Sequence, residues 1–183
     1  MKYERLTEDG RLWAVIYDGE STNSFEKLFL QWTDVKWLKE FFTNNINDLS
    51  SYFHITDLDE ALFDTIDDAE QLECLMMDIN PDINLDEFFR PLENYRISEM
   101  LLSREKLKGT NVKHSSWLRI YAIRLQSMRY IITGGAIKLT ATMQEREHTL
   151  KELININKVR NNLISLGIVD YDGFIDAQDE NEG

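Results

Sequence analysis

Two apolar, β-rich runs, Trp117 to Leu125 and Met128 to Leu139, flank the polar pair Gln126 and Ser127, the pattern of an antiparallel hairpin. Gly134 and Gly135 interrupt the second run, which predicts a bulge or bend where another backbone comes close. From Thr142 or Gln144 onward, Leu150, Leu153, Ile154, Ile156, Val159, Leu163 and Leu166 recur at helical spacing, with Gly167 and Ile168 suited to close the helix. Upstream, Leu12 to Tyr17 is apolar at almost every position, as in a strand covered on both faces. Asn23 with Glu26 opens a helix carrying Phe25, Leu28, Phe29 and Trp32, and Asp34 opens a second carrying Val35, Leu38, Phe41 and Phe42. The polar cluster from Asn44 to Asp48 is expected to end that second helix. Thr56 and Asp57 begin a longer one, with Leu58, Leu62, Ile66, Ala69, Leu72 and Met76 as its apolar stripe. Its outer face is read as acidic: Asp59, Asp64, Asp67, Asp68, Glu70 and Glu73. Asn84 and Glu87 cap a short helix limited by Pro91, and the run from Tyr95 to Thr110 reads as a helix ending or loop. The tail 176–183 has no apolar residue after Ala177 and is expected to be disordered.

This pattern gives an α+β fold, a small antiparallel twisted sheet packed with helices, in a single domain over residues 1–175. No apolar run reaches the roughly 18 residues of a membrane span. The start, MKYERLTEDG, has no apolar stretch of a secretory signal, so the expected location is cytoplasmic. Cys74, the only cysteine, allows no internal disulfide, and its setting in LECLMM reads as a buried thiol.

Charge changes the picture. The net charge is −13, yet residues 1–87 carry 6 Lys/Arg against 21 Asp/Glu, 88–161 carry 14 against 6, and 162–183 carry none against 6. A basic block inside an acidic chain points to an anion such as RNA, or to a surface matched internally by the acidic part. The basic set is Arg104, Lys106, Lys108, Lys113, Arg119, Arg124, Arg129 and Lys138. On a strand, residues two apart share a face, so Arg119 lies with Tyr121 and Ile123, and strict alternation sends Arg124 to the other face.

Other chemistry is weaker. Asp78 to Phe89 offers oxygens at Asp78, Asn80, Asp82 and Asn84, but a calcium loop needs Gly and Glu where this chain has Ile83 and Phe89. His54, His114 and His148 lack zinc-site spacing, so no metal or other cofactor is expected. His54 and His114 read as surface residues. His148, near the start of the last long helix, serves as acid or base only where the fold brings it to the basic block.

KLKGT (Lys106 to Thr110), WLRIYAI (Trp117 to Ile123), YIITGGAIKLT (Tyr130 to Thr140) and HTLKELININKVRNNL (His148 to Leu163), in that order, resemble the RelE/HigB-like toxin superfamily and its phage-derived Gp49-like branch. The resemblance covers residues 11–33 and 90–168 and makes the acidic helices of 34–89 an insertion. It implies a metal-independent mRNA endonuclease, associated with the ribosome and held inactive by a cognate antitoxin, a helix-turn-helix protein. Carried over, Lys106 and Lys108 match the basic pair before the strands, Arg119 the strand arginine and Lys138 the lysine after the penultimate strand. Arg119, Lys138 and His148 are then the candidate catalytic residues, and Arg104, Lys106, Lys108, Arg124 and Arg129 the candidate RNA contacts. This chain has Ala136 and Lys138-Leu139 where the family often carries an aromatic and a lysine pair. The alternative is a catalytically inactive, toxin-derived interaction protein whose acidic helices bind a basic partner or mask the basic face.

Overall fold

The computed structural model describes residues 1–93 and 101–182. The beginning of the run read as a helix ending or loop, residues 95–100, lies outside the described residues. The strands are β1 (Lys2–Arg5), β2 (Leu12–Ile16), β3 (Arg90–Pro91), β4 (Ser103–Lys108), β5 (Leu118–Gln126) and β6 (Arg129–Ile137). The α-helices among the described residues are α1 (Ser24–Trp32), α2 (Val35–Asn44), α3 (Ile46–Phe53), α4 (Leu58–Met77), α5 (Glu147–Ser165) and α6 (Tyr171–Glu182).

The six strands form one sheet in the order β1-β2-β6-β5-β4-β3. The class is α+β, but the sheet is mixed and not purely antiparallel: β2 runs parallel to β6, pairing Leu12–Ala14 with Tyr130–Ile132. Hydrophobic alternation records which face a residue buries and says nothing of the neighbour a strand takes. β2 is buried on both faces as its unbroken apolar run requires. Leu12 and Ala14 enter one core cluster, and Trp13 and Val15 the other.

Helices α1–α4 cover one sheet face and α5–α6 the other. The segment 34–89 is a layer of the domain, since Leu38, Phe42, Leu49, Leu62, Ala69, Leu72 and Met76 share a core with Leu118, Ile120 and Ile132. Asp34 and Asp57 cap α2 and α4 through their side chains, as their positions demand. The polar cluster ends α2 at Asn44, as expected, and a separate helix, α3, follows at once from Ile46. Asp64 and Asp68 are not on the outer face of α4 but buried, each one helical turn from a buried residue, Ala61 and Thr65 respectively. Asp64 binds Lys113 Nζ at 2.5 Å and His114 Nε2 at 3.1 Å, and Asn111 Nδ2 donates to Asp68 at 2.8 Å. These bonds tie the β4–β5 connection to α4. His114 is accordingly not a surface residue; its ring stacks on Trp117 at 4.3 Å. Cys74 is exposed, because Leu72 and Met76 take the inward positions of that turn.

The hairpin forms as its pattern predicts, with Met128 at φ 64° in the turn. Its register slips between Tyr121 and Ala122, so that Thr133 bulges beside Gly134. A Cβ on Gly135 would lie 2.4 Å from the Arg119 carbonyl oxygen, the close backbone approach that the glycine pair signals. Helix α5 ends with Gly167 at φ 74°, where Ile168 N–H donates to Leu163 and Gly167 N–H to Ile164, a Schellman closure. Residues 176–182 do not form a disordered tail; they continue α6. Fully buried Phe174 anchors that helix with its ring edge-on to Tyr3 and Trp13.

Candidate functional site

Strand β4 supplies one wall of the site. Its alternation puts Ser103, Glu105 and Leu107 inward and Arg104, Lys106 and Lys108 on the opposite face. Registration then lays Lys106 beside Tyr121 and Lys108 beside Arg119, while Arg119 pairs across with Ala136. Lys138 follows two residues beyond Ala136. Helix α5 covers this face over Ile123 and Ile131 through Ile156, Val159 and Leu163, but stops short of the cationic rows. What remains is a cleft of about 730 Å³, walled by Phe88 and Leu92 on one side and Met143 and Leu153 on the other.

Arg104, Lys106, Lys108, Arg119 and Lys138 all line that cleft. Arg119 Nη1 donates to the carbonyls of Ser116 at 2.7 Å and Leu118 at 2.8 Å, which aims the guanidinium. Lys138 Nζ donates to the carbonyls of Thr140 and Ala141, both at 2.6 Å. Lys108 Nζ donates to Ser115 Oγ, and Lys106 Nζ to the Leu92 carbonyl at 3.1 Å. Among the described residues no carboxylate pairs with Arg119, Lys108 or Lys138. Arg104, at the far end, is paired with Glu93 and donates to Asn157 at 2.8 Å.

The electrostatics follow. Burial pulls the Lys106 ammonium below its usual pKa, and Arg119 pulls it further against Glu93. Burial and then repulsion from Arg119 and Lys106 lower Lys138; burial and Arg119 lower Lys108. Burial lowers Arg119 itself. Crowding like charges in a partly dehydrated cleft costs the fold electrostatic energy, and a bound anion would relieve that repulsion. Tyr121, 1% exposed, also lines the cleft, and its hydroxyl has no hydrogen-bond partner among the described residues. Its two-residue spacing from Arg119 was the signal for this placement, although charge alone does not single it out.

The other sequence candidates lie elsewhere. Arg124 is on the opposite face, where its Nη2 meets Asp86 at 3.1 Å. Arg129, at the hairpin turn, donates to the Asp9 carbonyl at 2.7 Å and lies over the Tyr171 ring. Lys113 is held by Asp64. Asp78–Phe89 does not gather its oxygens on a cation: Arg11 binds the Asn80 and Ile83 carbonyls, and Asp86 turns to the hairpin. Among the described residues no group of three or more His, Cys, Asp or Glu side chains is arranged to hold a metal ion.

His148 is not in the cationic cleft. Its Nε2 lies 2.9 Å from the Ile137 carbonyl and its ring meets Phe41 edge-on, in a second cleft of about 360 Å³ between α1, α2 and α5. Glu152 lines that second cleft. Burial pushes its carboxyl up to about 7, against a hydrogen bond from Asn155 and the charges of Lys151 and Lys27. A folded-state pKa above the unfolded value means the folded chain holds the extra proton, so this group's contribution is fully present below the ordinary carboxylate range and is lost as pH rises through about 7. Glu152→Gln is expected to flatten that dependence, matching the parent at pH 5 and exceeding it by roughly 1–2 kcal/mol at pH 8 in urea titrations.

No protein-family model, curated protein or solved structure matches this chain. No helix among the described residues is long and apolar enough to cross a membrane.

Proposed function

We propose that the chain is a RelE/HigB-like toxin, a metal-independent endonuclease acting on ribosome-bound mRNA, with the cationic cleft as its RNA site. The observation that carries this reading is the convergence of Lys106, Lys108, Arg119 and Lys138 on one open sheet face without a carboxylate on Arg119, Lys108 or Lys138 among the described residues. The order of elements from β2 to α5 supports it too: a strand, helices, basic strands and a helix packed on the sheet, with β1 before and α6 after. In this mechanism the 2′-hydroxyl attacks the adjacent phosphorus, the bond to the 5′-oxygen breaks, and a cyclic phosphate and a 5′-hydroxyl result. Arg119 holds the non-bridging oxygens as charge develops on them, an electrostatic contribution worth several kcal/mol in a water-poor site. Lys106, with its lowered pKa, takes the 2′-hydroxyl proton, and Lys138 returns one to the leaving oxygen. Lys108 and Arg104 hold neighbouring phosphates. His148 has no part in this scheme.

Incubating purified protein with ribosomes carrying mRNA tests it. The expected products carry cyclic phosphate at the new 3′ end; intact mRNA, or 3′-hydroxyl ends, overturns the proposal. A cognate helix-turn-helix antitoxin encoded alongside is the expected partner.

One observation favours the inactive-scaffold reading, in which acidic helices bind a basic partner: Asp59, Asp67 and Glu70 on α4 are exposed on the layer opposite the cleft. From that layer α4 does not cover the cationic face. RNA binding without cleavage in the same assay would favour this second reading.

A further inference from the structure

The parallel pairing of β2 with β6 ends at Ala14 and Ile132, and among the described residues no strand pairs with that margin of β6 beyond it. Gly134 and Ala136 pair with Tyr121 and Arg119, so the backbone groups of Thr133, Gly135 and Ile137 turn the other way, toward the second cleft. Each is met by a side chain. Tyr17 Oη donates to the Thr133 carbonyl at 2.6 Å, the Glu152 carboxylate lies against Gly134 and Gly135, and His148 Nε2 lies 2.9 Å from the Ile137 carbonyl. Ser24 Oγ completes the row at the Ile132 carbonyl, 2.8 Å away. Four side chains, from the end of β2, α1 and α5, thus hold an edge that a neighbouring strand would otherwise pair.

The space in front of this edge is a cleft, not a packed seam. Trp37 and Phe41, stacked at 5.2 Å and partly exposed, form an apolar wall. Lys151 and Lys158 stand around it with Lys27, which is ion-paired with Glu20 at 2.5 Å, and Glu152 opposes them with its charge half lost near neutrality. We infer that this edge is a strand-addition site: an extended segment of a partner protein, rich in carboxylate side chains, pairs with Thr133–Ile137 in place of the capping side chains. Main-chain bonds supply the affinity, alternate side chains reach the aromatic wall, and the carboxylates meet the lysines. The cationic cleft stays open, because this site lies beyond the other margin of β6.

A panel of heptapeptides tests this, with glutamate at three alternate positions and Val, Leu, Phe or Tyr at the others, read by fluorescence polarisation against the full chain. Binding is expected, with slowed amide exchange at Gly135. N-methylation of one alternate set of peptide amides should weaken it about tenfold or more, while the other set is tolerated. Charge reversal at the exposed pair, Lys151→Glu with Lys158→Glu, should weaken it similarly. Saturating single-stranded RNA should not displace the peptide. Absence of binding across the panel, equal effects of the two N-methyl sets, or displacement by RNA overturns the inference.

Discussion

Arg119→Ala is expected to lower the rate of mRNA cleavage by roughly two to three orders of magnitude, the usual cost of removing one preorganised donor from a developing oxyanion. The reason lies in how the side chain is held. Its Nη1 is fixed by two backbone carbonyls of its own strand entry, so the guanidinium faces the cleft before any ligand arrives. Arg119 also depresses Lys106, Lys108 and Lys138, so its removal returns all three toward ordinary lysines and shifts the alkaline side of any pH–rate profile. Arg129→Ala is the matched comparison. Both arginines lie in the basic block, but Arg129 binds the Asp9 carbonyl and Tyr171 at the hairpin turn. Its removal should leave cleavage within about threefold, the scale of an exposed charge. Equal losses in the two variants would mean that bulk charge, and not the cleft, directs the RNA.

Asp86→Ala is expected to carry the largest cost to stability, about 2–4 kcal/mol, as for removing a part-buried carboxylate that anchors several hydrogen bonds and an ion pair. One carboxylate receives Arg124 Nη2 at 3.1 Å, Ser127 Oγ at 2.6 Å, the Met128 N–H at 3.0 Å and Tyr130 Oη at 2.5 Å. It therefore fixes both strands of the hairpin and the left-handed residue between them. Burial raises its pKa, but the bonds from Arg124, Ser127, Tyr130 and Met128 prevail and hold it well below the usual carboxylate range. That depression stabilises the fold above the ordinary aspartate pKa and is lost as acid protonates the group. Thermal melts at pH 7 should show a fall of roughly 10 °C in the variant, shrinking as the pH drops below about 4.

Much of this architecture was legible in residue order. The hairpin, the caps at Asn23, Asp34 and Asp57, and the closure at Gly167 follow from local chemistry that tertiary packing did not override. Strand β4 was not legible. SREKLK buries a charge, Glu105, among its inward positions, which spoils the apolar alternation of a short strand, and its pairing with β5 is a long-range event. Helix α6 was missed for the opposite reason. Its sequence is too polar to announce itself, and it is held chiefly by Phe174 against Tyr3 and Trp13, with Tyr171 under Arg129 and Ile175 packed beside them. For the site, alternation correctly separated Arg119 from Arg124. It gave no hint that Arg104, Lys106 and Lys108 form the adjoining row, because that needed β4 to be a strand. His148 went to the second cleft because the start of α5 lies beyond β6 from the cations.

The central claim is that four cations on β4, β5 and the end of β6 grip a single-stranded phosphate backbone together. Its most direct test is the salt dependence of binding to a short single-stranded RNA. Four phosphate contacts predict a slope of log K against log salt of about −3, falling by roughly 0.7 in magnitude for each of Lys106→Ala, Lys108→Ala and Lys138→Ala. A slope near zero, or one that these three substitutions leave unchanged, would contradict it.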